Sequence, residues 1–454
     1  MVAGDQSDPA DVLIIGGGPA GYVCALRAAH NGRSVTLVER ERVGGVCLTQ
    51  GCIPSKHLAT FAAAKSAAER LGPAGMSEFA APPDMRAFQK RRRAAIDALV
   101  KGVRSLLDAA GVKTVEGNAW FVGRTRVCVQ VGEESVRYFD FKDVVIATGA
   151  RPIGLPGLPF DGLRVVEPSR ALEWDSPPTT LLVAGADYIA LELAVAYARL
   201  GSKVTLASAH DRLLPDFDAD LAAAAQRGAR SAGVEIALSC DPAVRAGDAE
   251  KVVVSAGSIP ALDDLHLPAA GLPSGKDLLV VDDQLRLDRH VFAIGDVTPG
   301  PALAHRAMAQ GRVLGDILGG KAGAMDVHAV PRVVFAEPEI AAVGLSEVDA
   351  KEVGVDVTVG KFPLGALGRA VIDGATSGFA KLVFNRESGI LVGAHLAGPR
   401  ATDLIAEMAL AVEMGATAED IALTAHAHPT YAEALMEAAE AALGRSVNIL
   451  LKPR

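Results

Sequence analysis

Cys47 and Cys52 stand with four residues between them in Gly44-Gly45-Val46-Cys47-Leu48-Thr49-Gln50-Gly51-Cys52-Ile53-Pro54-Ser55-Lys56. Two thiols at that spacing can close a small disulfide loop where a helix begins, and exchange through such a pair moves two electrons. A metal site or two unrelated thiols are the plainer alternatives. Cys24, Cys128 and Cys240 stand alone and are read as small buried hydrophobes. Five cysteines in 454 residues make no structural disulfide framework.

The elements that must position the pair begin just upstream. Asp11–Ile15 reads as an apolar strand, Gly16-Gly17-Gly18-Pro19-Ala20-Gly21 as a turn, the run to His30 as a helix, and Ser34–Val38 as a second strand ending at Glu39. This is G-x-G-x-x-G in a strand–turn–helix setting with an acid at the expected distance, the pattern of a dinucleotide site. Gly16 permits the tight turn, Gly18 lets amides approach a pyrophosphate, Gly21 allows close helix packing, and Glu39 can accept ribose hydroxyls. Helices are expected at about 56–71 and 84–110. A buried strand at 143–150 carries Ala147-Thr148-Gly149, and the Pro/Gly-rich stretch 152–159 reads as a linker.

A second, altered copy follows. Thr180–Val183, Gly185-Ala186-Asp187-Tyr188-Ile189-Ala190, a helix to Leu200 and a strand over 202–207 repeat the first unit. Asp187 takes the second glycine position, Ala190 the third, and Ser208 stands where an acid is expected. Val291–Asp296 is a buried strand ending in Gly295-Asp296, with a helix from about 301 to 318. Four strands and two helices follow beyond residue 327, and His426-Ala427-His428-Pro429-Thr430 lies between the two helices, with Glu433 close behind.

Composition fits a chain of about three domains. Half the residues are hydrophobic, so a large core is available. The net charge of −9 sets no basic face aside for nucleic acid, and Arg91-Arg92-Arg93 reads as the solvated side of a helix. No apolar run reaches transmembrane length, and the N-terminus lacks the basic start and apolar run of a secretory signal, so a cytoplasmic protein without membrane contact is expected.

Taken in order, these motifs resemble the dihydrolipoyl dehydrogenase branch of the FAD-dependent pyridine-nucleotide disulfide oxidoreductases. The resemblance rests on the glycine motif with Glu39, the Gly-Gly-x-Cys-x4-Gly-Cys-Ile-Pro-Ser-Lys block, Ala147-Thr148-Gly149, Ala293-Ile294-Gly295-Asp296 and His426-x-His428-Pro429-Thr430, and it covers nearly the whole chain. It implies an α/β fold of two nested Rossmann-like domains plus a C-terminal α+β dimerisation domain. The implied division is FAD domain 1–150, NAD-type domain 151–277, a return segment 278–326 and an interface domain 327–454.

The resemblance also implies the site. FAD would be held by Gly16, Gly18, Pro19, Ala20, Gly21, Glu39, Arg40, Gly45, Val46, Cys47, Cys52, Lys56, Ala147, Thr148, Gly149, Gly295, Asp296, Leu303, Ala304 and His305, with no metal. Cys47 would face a dithiol substrate, such as a lipoylated protein, and Cys52 the flavin. His428, oriented by Glu433, would act as base from the second subunit of a homodimer. Lys56 and Glu192 match a pair at the flavin edge on the nicotinamide side.

The nicotinamide half departs from the family pattern. A carboxylate at Asp187 and a phosphate charge about 4 Å apart repel by roughly 4 kcal/mol at an effective dielectric near 20. Ser208 removes the ribose anchor, the adjacent arginines of an NADP site are missing, and the stretch before Lys251 is short. The expected enzyme therefore oxidises a dihydrolipoyl-type dithiol, binds NAD(H) weakly or not at all, and passes electrons to O2, a quinone or a protein. The alternatives are a divergent dihydrolipoyl dehydrogenase that still reduces NAD+ and a non-catalytic flavoprotein scaffold. A glutathione site would need the missing arginines, and a mercuric site a C-terminal cysteine pair; no cysteine follows Cys240.

Overall fold

The computed structural model describes residues 7–71, 83–273, 275 and 277–450 of the chain. Two compact units are formed, each from three stretches of sequence.

The first unit contains residues 1–57, 86–153 and 257–326. Its main sheet runs in the order Arg286–Asp288, Val291–Ala293, Ser135–Ile146, Ser7–Ile15, Val35–Glu39, Lys113–Glu116, with a hairpin of Asn118–Gly123 and Arg126–Val131 added to the third of these. Ser7–Ile15 is central and parallel to both neighbours. Its end is an unbroken apolar run, Val12-Leu13-Ile14-Ile15, at most 4% exposed, because a parallel strand has both faces covered. From this strand the chain leaves to one side through the helix Pro19–His30, and the strand on its other side returns much later. The C-terminal end of Ser7–Ile15 is thus a topological switch point, where open α/β sheets bind ligands.

Helix Pro19–His30 packs on helix Ala304–Leu318 through glycines four apart. A Cβ on Gly311 would lie 2.6 Å from the Ala20 carbonyl oxygen, one on Gly315 2.5 Å from Arg27 Cβ, and one on Gly319 2.3 Å from Asn31 Cβ. Arg27 and Asn31 in turn bond the Asp316 carboxylate.

The second unit contains residues 58–85, 154–256 and 327–454. One of its sheets is parallel, in the order Glu235–Ala237, Lys203–Ala207, Thr180–Ala184, Lys251–Val254, Val165–Val166. The strand–helix–strand repeat expected at 180–207 is present, with the helix at Tyr188–Arg199. The other sheet is antiparallel, in the order Arg332–Val334, Ile340–Gly344, Leu391–Ala397, Phe379–Asn385, Val357–Pro363. Helices Ala401–Glu413, Ala418–Leu423 and Glu433–Ala442 accompany it. The strand at 340–344 and the helix at 418–423 were not anticipated. The strand is a short apolar run without alternation, buried from Ile340 to Val343, and the helix is one short piece started by a capping box between Thr417 and Asp420.

Two expectations are corrected. Arg92 is buried, with its Nε donating to Gln89 Oε1; helical periodicity places it on the same stripe as Met85, Phe88, Gln89 and Ile96, while Arg91 and Arg93 are exposed. Cys24 and Cys128 are buried, but Cys240 is partly exposed, with its thiol 3.4 Å from the Ala237 carbonyl oxygen. No helix among the described residues is long and apolar enough to cross a membrane.

Candidate active site

In the first unit, Gly16 takes a φ of +105°, and a Cβ there would fall 2.3 Å from the Ala147 carbonyl oxygen. A Cβ on Gly21 would fall 1.8 Å from the Gly16 carbonyl oxygen. Gly18 differs: a Cβ would meet only Gly45 Cα, at 3.9 Å. The first and third glycines serve packing, and the second leaves space. Gly18 also precedes Pro19–His30 without any side-chain cap bond, so the helix presents unclaimed N–H groups there, the arrangement that receives a phosphate.

Glu39 Oε2 accepts the Gly17 N–H at 2.7 Å and Oε1 accepts the Glu41 N–H at 2.9 Å, which fixes the carboxylate at the strand end with lone pairs remaining. Thr148 Oγ1, between Ala147 and Gly149, is buried without a hydrogen-bond partner. Gly295 donates its N–H to Gln310 Oε1, and burial pushes the Asp296 carboxyl up, against the pull of the Arg306 charge. Helix Ala304–Leu318 starts at Leu303, again without a side-chain cap, and His305 lies exposed in its first turn. Arg40 is exposed and nearest to Glu41. An open helix end, an orphaned hydroxyl and a terminal acid fit a flavin dinucleotide. Gln310 and Arg306 were not singled out from sequence; helix periodicity, which carries Gln310 back to the Gly295 turn, was the available signal.

The cysteine loop is tied to this cradle by Gly44 N–H donating to the Gly17 carbonyl at 2.8 Å. Gly44 and Gly45 both take positive φ, and a Cβ on Gly45 would fall 2.7 Å from Gly18 Cα. Val46 is exposed and both thiols are partly buried. Cys52 opens the helix Cys52–Leu71, as the loop reading anticipated. The Cys47 thiol is pushed up, first by its hydrogen bond with Cys52, then by burial and the Cys52 and Asp296 charges, with Lys56 pulling the other way. Tyr22 also lies within the field of Cys47 and was not foreseen.

In the second unit, His428 Nδ1 lies 2.7 Å from Glu433 Oε1, and Thr430 N–H donates to Glu433 Oε2 at 2.8 Å. Burial opposes ionisation of Glu433, but the Thr430 N–H and His428 outweigh it and hold the carboxyl below its usual range. An ionised Glu433 only accepts, so Nδ1 carries the proton and Nε2 is the basic nitrogen. The imidazole is 77% exposed and Glu433 16%, so the carboxylate is sheltered and the imidazole projects outward. Thr430 was missed; its N–H has no signature in sequence.

Cys47 and Cys52 lie in one unit and the His428–Glu433 pair in the other, as do Lys56 and Glu192 respectively. Glu192 is buried and accepts the Phe335 N–H at 2.9 Å. Among the described residues no group of three or more His, Cys, Asp or Glu is arranged to hold a metal.

The repeat in the second unit is built differently from the first. Asp187 is the N-cap of helix Tyr188–Arg199: its Oδ1 accepts the Ala190 N–H at 2.8 Å, and Ser255 Oγ donates to the same carboxylate. Burial pushes the Asp187 carboxyl up, against these hydrogen bonds. The sequence reading placed a repelling charge here; in the fold the carboxylate is also a resident ligand of the helix end. Ser208 is buried, and its Oγ accepts the His210 N–H.

Residues 10–311 match the family described as pyridine nucleotide-disulphide oxidoreductase, and residues 330–439 its dimerisation domain. The chain is 40% identical to a dihydrolipoyl dehydrogenase of Geobacillus stearothermophilus over 472 aligned positions, covering 100% of both chains. It is 40% identical to that of Halobacterium salinarum, covering 99% of this chain and 100% of the other. Among solved structures, LpdA from Mycobacterium tuberculosis superposes with a TM-score of 0.87 at 26% identity, covering 95% of this chain and 99% of that one. The HOCl-induced flavoprotein disulfide reductase RclA from Escherichia coli gives 0.82 at 25%, covering 94% and 98%. The chain belongs to the dihydrolipoyl dehydrogenase branch of the FAD-dependent pyridine nucleotide-disulphide oxidoreductases.

Proposed function

We propose that this protein is a cytoplasmic homodimer that oxidises a dihydrolipoyl-type dithiol, free or on a lipoylated protein, and delivers the electrons to an acceptor other than NAD+. Nε2 of His428, from the second subunit, takes a proton from one substrate thiol. The resulting thiolate attacks Cys47 Sγ of the oxidised pair and the Cys47–Cys52 bond breaks, leaving Cys52 as thiolate. The second substrate thiol then attacks the substrate sulfur of the mixed disulfide as its proton passes to the departing Cys47 sulfur; the substrate leaves as a disulfide, and Cys47 and Cys52 hold the two electrons. FAD held beside the cysteine loop would supply the two-electron acceptor for that pair. Lys56 and Glu192 would tune the charge around the flavin, and Asp296 would hold its ribityl chain. Residues 1–150 with 278–326 form the flavin domain, 151–277 the nested domain and 327–454 the dimer-forming domain.

The carrying observation is the contrast between two helix ends. The one after Gly18 is open; the one after Asp187 is occupied by the chain's own carboxylate, with Ser255 behind it. The test is anaerobic and spectroscopic. Dihydrolipoamide should reduce the bound flavin or produce a thiolate–flavin absorption band, and NADH should not. Rapid, saturable reduction by NADH would overturn the acceptor assignment.

A second reading, a divergent dihydrolipoyl dehydrogenase that still reduces NAD+, is favoured by the full-length 40% identity to enzymes of that name. A scaffold without catalysis has no use for a sheltered acid aligned on an exposed imidazole.

A further inference from the structure

The motif His426-x-His428 contains two histidines in opposite situations. His428 is exposed and has one acceptor, Glu433. The His426 side chain is only 5% exposed and has acceptors at both nitrogens: the Thr424 carbonyl oxygen lies 2.8 Å from Nδ1, and Glu407 Oε1 lies 3.0 Å from Nε2. A neutral imidazole has one N–H and can satisfy only one of them. A carbonyl oxygen never donates, so with Glu407 ionised both nitrogens must carry protons.

We infer that His426 is a positioning residue held as an imidazolium, which anchors the base-bearing loop to helix Ala401–Glu413 and sets the charge felt by the Glu433–His428 pair. The inference rests on the proposed role of His428. Two charged groups act on His426, Glu407 from helix Ala401–Glu413 and Glu433 from the start of helix Glu433–Ala442, and His428 shares Glu433 with it. Glu407 and the Thr424 carbonyl hold His426 above the usual histidine range, against burial. The His426 charge in turn helps keep Glu433 ionised. An ionised Glu433 leaves the proton on His428 Nδ1 and the lone pair on Nε2. The loop is pinned at both ends: Glu407 through His426 on one side, and Thr430 on Glu433 and on the Ala427 carbonyl on the other.

The test uses H426Q, which keeps a hydrogen-bonding side chain and removes the charge, in the FAD-loaded full-length protein. Flavin reduction by dihydrolipoamide is followed against pH. Losing a positive charge beside the base leaves that base protonated to higher pH. The acid limb should therefore move up by about half a pH unit. That is about a threefold loss on the acid side, with a smaller loss on the plateau. An unmoved acid limb, or an equal loss at every pH, would overturn the inference.

A second readout needs no substrate. His426 with a raised folded value contributes stability that is full below the unfolded value, near 6.5, and is lost as pH rises through the folded value. The melting-temperature advantage of the unchanged protein over H426Q should be largest near pH 6 and fade toward pH 9; a difference independent of pH would also overturn the inference. If dihydrolipoamide fails to reduce the unchanged protein, the proposed function falls, and the melting comparison still decides the charge on His426.

Discussion

Ser255 donates its hydroxyl to the Asp187 carboxylate, with Oγ 2.8 Å from Oδ2 and 2.9 Å from Oδ1, at the N-terminal end of helix Tyr188–Arg199. The same carboxylate caps the helix through Ala190. In a dinucleotide fold that helix end receives the pyrophosphate. Here one residue from the glycine turn and one from the end of the neighbouring strand satisfy it from within.

Opening that end is the first prediction. D187G with S208E should tighten NADH binding by at least about tenfold, since removal of the anion frees the helix end and the new acid offers a ribose acceptor. Calorimetry on the FAD-loaded protein would measure it. D187G alone should cost only about a few tenths of a kcal/mol of stability, because glycine is itself accepted at an N-cap. Unchanged affinity in the double variant would place the obstruction elsewhere in the nested domain.

The sheltered acid of the base pair gives the second. E433Q keeps the shape but no longer obliges His428 Nδ1 to carry the proton. Thr430 also loses its carboxylate acceptor. Flavin reduction by dihydrolipoamide should slow by about a hundredfold with the protein still folded and dimeric. A loss of dimer instead of rate would assign Glu433 to the interface.

A third concerns a buried cation outside the site. Lys381 is 3% exposed, and its ammonium donates to both oxygens of Asp218 at 2.8 Å and to Asp220 and Glu347 at 3.1 Å. Burial works against the charge, but these carboxylates outweigh it and hold Lys381 above its usual range. K381M strands the Asp218 carboxylate and should cost about 3–5 kcal/mol in urea unfolding. K381M with D218N should recover part of that loss. Because the folded value is raised, the contribution of Lys381 is full through neutral pH and is lost only as pH climbs through that value, above 10.5.

The glycine ladder gives the fourth. G311A places a methyl carbon 2.6 Å from the Ala20 carbonyl oxygen and 3.1 Å from Cys24 N, both backbone atoms that cannot swing aside. Stability should fall by about 1–3 kcal/mol. Ala20 lies in the first turn of the helix proposed to receive the flavin pyrophosphate, so the flavin-to-protein ratio after purification should fall as well. G102A is the control: a Cβ there meets nothing within 4 Å.

Much of the site was legible because its signals are local. A tight turn needs Gly16, a helix start places Cys52, and the spacing from Gly16 to Glu39 reflects one strand–helix–strand unit, so residue types alone report the geometry. Where the reading failed, burial along one helix stripe was the deciding fact. Arg92 read as solvated because its partner and stripe are visible only once the helix is placed.

The chain's own order of residues determined the family, the two strand–turn–helix units, the redox cysteine pair and the altered second glycine position, because each is written within a few residues by backbone sterics and helix geometry. Only the tertiary structure decided what the altered residues do. It turned Asp187 back onto its own helix against Ser255, buried Ser208 in its own loop, and gave two neighbouring histidines different carboxylate partners, Glu407 for His426 and Glu433 for His428. Charge and hydrogen-bond satisfaction depend on which groups share a small volume, and that volume is assembled from residues far apart in the chain.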